Sequence, residues 1–167
     1  AKAATLIVPI MAIGYVAGGL IIILTNLELV IPALELIFKD AFTGEAVAGG
    51  AIGAVIRYGV ARGVFSNEAG MGSAPIAAAA ARTDHPARQG LVSMTGTFID
   101  TIIVCSITGI VLVMGFIMAG NSFGSETGAV LTTHTFDQLL PGVGGWLVTF
   151  GIIFFAYSTI LGWCYYG

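Results

Sequence analysis

Apolar residues run through this chain in long blocks separated by short polar links. The first block, "TLIVPIMAIGYVAGGLIIILT" at residues 5–25, carries no charge. A helix needs about 20 mostly apolar residues to cross a hydrocarbon core, so this block predicts a span. In the next stretch, "NLELVIPALELIFKDAFTGEA", the apolar positions are interrupted by Glu28, Glu35, Lys39, Asp40 and Glu45. That spacing predicts a short amphipathic helix at the membrane surface. A second apolar tract, residues 47–81, is too long for one straight helix and closes on "AAAAA". The polar link "RTDHPARQG" leads to a third span at 91–118. After it, "AGNSFGSETGAVLTTHTFDQLLPGVG" has enough apolar content for a short surface helix. The fourth span is "WLVTFGIIFFAYSTILGW", residues 146–163. The expected fold class is an all-α membrane protein, one set of about four transmembrane helices across residues 1–167.

Composition supports the same class. The chain is 57% hydrophobic and 9% charged, whereas soluble domains are about 25% charged. Its 24 glycines suit membrane helices, in which small residues let backbones approach closely. A net charge of −3 with no basic run leaves no footprint for nucleic acid. With four spans, Lys2, Arg82 and Arg88 share one side, while the opposite loops hold only Lys39. The positive-inside rule therefore puts the 82–90 link in the cytoplasm. Cys105 and Cys164 lie in apolar runs and read as small packing residues, and His85 and His134 read as surface loop residues. The chain begins at Ala1 and stops just after "GWCYYG", which reads as an internal piece of a longer protein.

The second tract poses the functional question. Its centre, "FSNEAGMGSAP" at residues 65–75, holds a carboxyl, an amide, two hydroxyls, two glycines and a proline. Gly70 and Gly72 each disfavour helix by about 1 kcal/mol relative to alanine. Pro75 lacks an amide donor and is tolerated only near a helix start. The expected result is a half-helix ending near Phe65, an unwound stretch, and a second half-helix starting between Gly72 and Pro75. Backbone freed in this way must find protein, water or ligand, because lipid offers no partner. Broken helices at mid-membrane recur in secondary transporters, where half-helix ends and bare carbonyls grip polar solutes. Tight helix packing around a proline kink is the competing reading of the same glycines; Ser66, Asn67, Glu68 and Ser73 turn the balance toward a solute site.

Other polar residues lie within the apolar tracts. Arg57, Arg62, Glu68 and Asp100 are costly in a membrane and must face protein or water. Thr97 and Asp100 are three apart on one helical face and either line the solute site or belong to an internal ion pair. In the fourth span, Ser158 and Thr159 are adjacent. They either bond back to their own helix or join a free carbonyl such as that of Ala156 as hard oxygen ligands for a small cation.

The segment "GVARGVFSNEAGMGSAPIAAAAA", residues 59–81, resembles the signature of the alanine or glycine:cation symporter family of bacteria and archaea. "QGLVSMTGTFIDTIIVCSITGIVLV" and "FFAYSTILGWCYYG" resemble that family's next stretches in the same order. The likeness covers essentially the whole chain. It implies a fragment of a LeuT-like inverted-repeat transporter, multi-pass in the plasma (inner) membrane, with the second span here discontinuous. It also implies sodium-coupled symport of a small neutral amino acid, alanine or glycine, by alternating access. Phe65, Ser66, Asn67 and Glu68 would surround the amino acid, with Gly70 and Gly72 giving access to backbone. Ala156, Ser158 and Thr159 would bind sodium, and Asp100 and Thr97 would line the site or support it. The expected partners are the amino acid, sodium as coupling ion, the lipid bilayer and the remainder of the transporter; no other cofactor is expected. A cation or small-solute channel is the alternative, and an intramembrane enzyme is disfavoured because no nucleophile–base arrangement is visible.

Overall fold

A computed structural model describes residues 2–42, 59–61, 63–64, 66–68, 70–120 and 127–166. Every regular element among these residues is helical. Helix α1 covers Lys2–Thr25 and α2 covers Leu27–Phe42. After a broken stretch comes α3, Ser73–Ala79. A single long helix then joins α4, Pro86–Phe98, a π-helical segment, Ile99–Cys105, and α5, Ser106–Met118. Helices α6, Gly128–Leu139, and α7, Gly144–Tyr166, complete the order.

Three helices among the described residues are long and apolar enough to cross a membrane: Leu6–Thr25, Pro86–Met118 and Gly144–Cys164. The second predicted tract lies partly outside the described residues, including Arg57, Arg62 and Phe65. The third predicted span starts earlier than its apolar residues indicate, because Pro86 opens the helix. Pro86 occupies the first turn, where a missing N–H costs nothing, and the His85 ring caps it by accepting from Ala87 N at 3.2 Å. At 33 residues this helix is about 50 Å long, well beyond a hydrocarbon thickness of about 30 Å. That length leaves room for its polar first turns, "PARQG", outside the apolar layer.

The helices divide into two compact units. One holds Ala1–Phe38 with Ile107–Tyr165. Its largest fully buried side chains are Ile22, Val111, Met114 and Phe136. Glycines admit the close approaches: Gly18 faces Leu147, Gly19 faces Ile107 and Gly115 faces Thr135, with no space for a Cβ. Tyr15 ties the core together, its hydroxyl 2.7 Å from Thr108 Oγ1 and its ring stacked on Phe136 at 5.6 Å. Helix α6 is thus no bare surface helix, since Thr135, Phe136 and Leu139 are buried. His134, expected in a loop, lies on the exposed side of this helix.

The second unit holds Lys39–Ser106 and contains the broken stretch, α3, α4 and the π segment. Many large apolar side chains of both units face outward, Ile13 at 70% exposure and Ile31 at 67% among them. Apolar surface spread all around a helix fits a lipid or protein surround, not water.

Candidate functional site

The backbone around residue 68 departs from helix for local reasons. Ser66 and Asn67 are helical, and Glu68 then takes φ = 53°, the one positive φ at a non-glycine among the described residues. That region is sterically disfavoured for side-chain-bearing residues and marks functional or strained positions. Met71 N donates to Glu68 O at 3.2 Å, closing a turn. Gly70 occupies its third position with φ = 77°, a geometry that glycine adopts without strain. Gly72 follows at φ = 86°, and α3 starts at Ser73. Pro75 falls in the first turn of α3, where the four leading amides have no intrahelical acceptor. The chain from 59 to 81 is therefore not a continuous helix.

Side chains from this break clasp the next helix. Ser66 Oγ donates to Asp100 Oδ2 at 2.6 Å. One residue on, Asn67 Nδ2 donates to Thr101 Oγ1 at 2.7 Å. Both acceptors belong to the π segment Ile99–Cys105. A π-helix turns less per residue than an α-helix and recurs at functional sites. Here two consecutive residues of the segment meet two consecutive residues of the break. Across the turn, Ser73 Oγ, on a residue only 7% exposed, donates to Glu68 Oε2 at 2.7 Å. Glu68 and Asp100 are half-buried.

A cavity of about 380 Å³ opens beside the clasp, lined by Ser66, Asn67, Glu68, Gln89, Thr97 and Asp100 among others. Small-molecule sites span about 300–1,000 Å³, so the volume suits a small solute. The lining carries two carboxyls, two amides and hydroxyls, with no Lys or Arg among the described lining residues. Asn67 lines the cavity, and its Oδ1 is buried behind the surface with no hydrogen-bond partner among the described residues. An orphaned buried acceptor costs about 1–3 kcal/mol.

Of the residues singled out from the sequence, Ser66, Asn67, Glu68, Thr97 and Asp100 come together around this cavity. Gly70 and Gly72 do not line it; they turn the backbone beside it. Phe65 lies outside the described residues. Ala156, Ser158 and Thr159 sit on α7, in the other unit. Helix α7 runs unbroken through Ala156, whose carbonyl is thus engaged in the helical ladder, unlike the free acceptor expected from the sequence. Ser158 Oγ donates back to Phe155 O at 3.0 Å. Gln89 and Ser93 line the cavity without being expected there, and Ser73 and Thr101, polar residues legible in the sequence, find partners that the sequence does not show. Thr101 was visible as a polar residue one turn from Thr97, but the π geometry that joins it to Asn67 has no sequence signal.

The family model for the sodium:alanine symporter family matches residues 1–167, the whole chain. This chain belongs to the sodium:alanine symporter family. Among its relatives, sodium/alanine symporter AgcS of Methanococcus maripaludis is 58% identical over 166 residues, 99% of this chain and 36% of that protein. The putative sodium/proton-dependent alanine carrier protein YrbD of Bacillus subtilis is 41% identical, over 99% of this chain and 36% of its own length. The probable sodium/glutamine symporter GlnT of Bacillus subtilis is 39% identical, over 100% of this chain and 34% of its own length. The chain spans about a third of the length of these curated relatives. As a member of the sodium:alanine symporter family it is a transporter segment, not an enzyme.

Proposed function

We propose that this chain is the part of a sodium-coupled symporter that holds one wall of the amino-acid site and one wall of the sodium site. The carried solute is a small neutral amino acid, alanine or glycine, moved across the plasma membrane by alternating access. The four-span arrangement, with residues 47–81 as the broken span, belongs to a LeuT-like inverted repeat completed by the remainder of the protein. The observation that carries this reading is the broken stretch at residues 66–72, which sets Ser66, Asn67 and Glu68 around a small polar cavity. Ser66, Asn67 and Glu68, with Phe65 beside them, contact the amino acid; Thr97 and Asp100 support them. Sodium is held by Ser158 and Thr159 hydroxyls and the Ala156 carbonyl, whose second lone pair remains after its helical hydrogen bond.

The relatives' names include both alanine and glutamine carriers, so side-chain size is the property to test first. Reconstituted full-length protein is expected to accumulate alanine against its gradient when sodium is supplied outside, with glycine competing better than glutamine. A pore would equilibrate the solute without concentrating it. Asn67→Ala and Glu68→Ala are each expected to reduce uptake at least a hundredfold at wild-type membrane insertion. Undiminished uptake in both variants would refute the site assignment.

A further inference from the structure

We infer that Gly96 sets the length of side chain the site accepts, by leaving open the space into which the side chain of a bound amino acid extends. The inference rests on the transport reading above and assigns specificity to a residue of the same cavity.

The cavity has two unlike walls. From α3 come Ala74, Ala77 and Ala78, whose side chains are methyl groups only. From the long helix come Gln89, Ser93, Gly96 and Asp100. These four recur at intervals of four, three and four residues, which places them on one helical face. A Cβ added at Gly96 therefore points to the side on which Ser93 and Asp100 line the cavity, and it meets no atom within 4 Å. Glycine weakens a helix interior relative to alanine. At Gly18, Gly19 and Gly115 close packing offsets that weakness, because Leu147, Ile107 and Thr135 occupy the space of a Cβ. At Gly96 no described atom takes that space, and what the absent methyl leaves is cavity. At a rise of about 1.5 Å per residue, Gly96 lies about 6 Å along the helix from Asp100. An amino acid held by its ammonium and carboxylate at Ser66, Asn67 and Glu68 thus has Gly96 within reach of a side chain longer than a methyl. One methylene more than a pocket can hold changes recognition about 10–200-fold.

The test is sodium-driven alanine uptake by the reconstituted full-length protein. Glycine, alanine, 2-aminobutyrate and norvaline serve as unlabelled competitors that lengthen by one carbon at each step. Wild type is expected to bind 2-aminobutyrate within about tenfold of alanine. Gly96→Ala is expected to leave the inhibition constants of glycine and alanine within about twofold of wild type. It is expected to raise those of 2-aminobutyrate and norvaline at least about tenfold. Gly90→Ala is the control, because Gly90 lies on the same helix, has no atom within 4 Å of an added Cβ and does not line the cavity. Its competitor profile is expected to match wild type, and a length-dependent loss equal to that of Gly96→Ala would overturn the inference. So would a flat profile in Gly96→Ala, with all four constants unchanged or all raised alike, because a merely structural role has no dependence on side-chain length. Loss of alanine uptake in Gly96→Ala would overturn it too, since the added methyl would then disturb packing instead of trimming the cavity. A wild type that accepts nothing longer than alanine would overturn it by placing the limiting contact elsewhere. A wild type that carries no alanine would overturn the transport reading, and this inference with it, whereas a flat Gly96→Ala profile leaves that reading standing.

Discussion

Glu68 combines two costs that a structure accepts only where they are compensated. Its backbone is in the left-handed region at φ = 53°, and the residue is half-buried within a long, mostly apolar tract. Strain of this kind is worth about 1–3 kcal/mol. The Ser73 hydroxyl answers part of it, closing a ring with Glu68 across the turn. Hydrogen bonds to carboxylates contribute about 1.5–3 kcal/mol, more than neutral pairs. Ser73→Ala is accordingly expected to destabilise the full-length protein by about 1–3 kcal/mol, read as a lower thermal midpoint in detergent. It is also expected to weaken uptake, because Glu68 loses the contact that orients it. An unchanged midpoint would mean that the turn is held by its backbone alone.

At the scale of elements, the long helix Pro86–Met118 is the informative one. Its π segment interrupts the i→i+4 ladder in the middle of an apolar span, a position where regular hydrogen bonding is most favoured. The interruption places Asp100 and Thr101 against the broken stretch, where they accept from Ser66 and Asn67. A π segment arises from one extra residue in an α-helix, so removing one residue restores the regular ladder without changing the phase of the flanking turns. Ile102 is suited to this test, because its side chain is 54% exposed and contributes little to packing. Deletion of Ile102 is expected to leave membrane insertion at the wild-type level and to lower uptake at least tenfold. Retained uptake would show that the two hydrogen bonds are incidental to transport.

For the whole molecule, the two units divide the proposed labour. The unit built from Lys39–Ser106 holds the cavity, and the unit built from Ala1–Phe38 and Ile107–Tyr165 holds the proposed cation ligands on α7. This division predicts separable defects. Thr159→Val keeps the volume and removes the hydroxyl. It is expected to raise the sodium concentration for half-maximal uptake about tenfold, with little change in alanine affinity at saturating sodium. An unchanged sodium requirement would move the cation to other residues. The outward-facing apolar surface of the first unit, where Leu6, Ile13 and Ile31 stand 65–70% exposed, suits contact with lipid or with other protein.

Sequence alone determined the membrane class and the place of the break. Uncharged blocks of about 20 residues leave few alternatives to helices in lipid, and Gly70, Gly72 and Pro75 act locally, through backbone sterics that need no tertiary partner. The same locality made Ser66, Asn67 and Glu68 legible as site candidates. Only the tertiary structure decided which residues answer them. The π geometry that brings Thr101 to Asn67, the burial of Ser73 and the core role of α6 all depend on contacts between segments far apart or across a turn. It also showed α7 unbroken at Ala156, because a lone Ser–Thr pair lacks the glycine and proline that force a helix open. Short-range sterics are written in neighbouring residues, whereas the partner a side chain finds on the next helix is set by how the two segments pack.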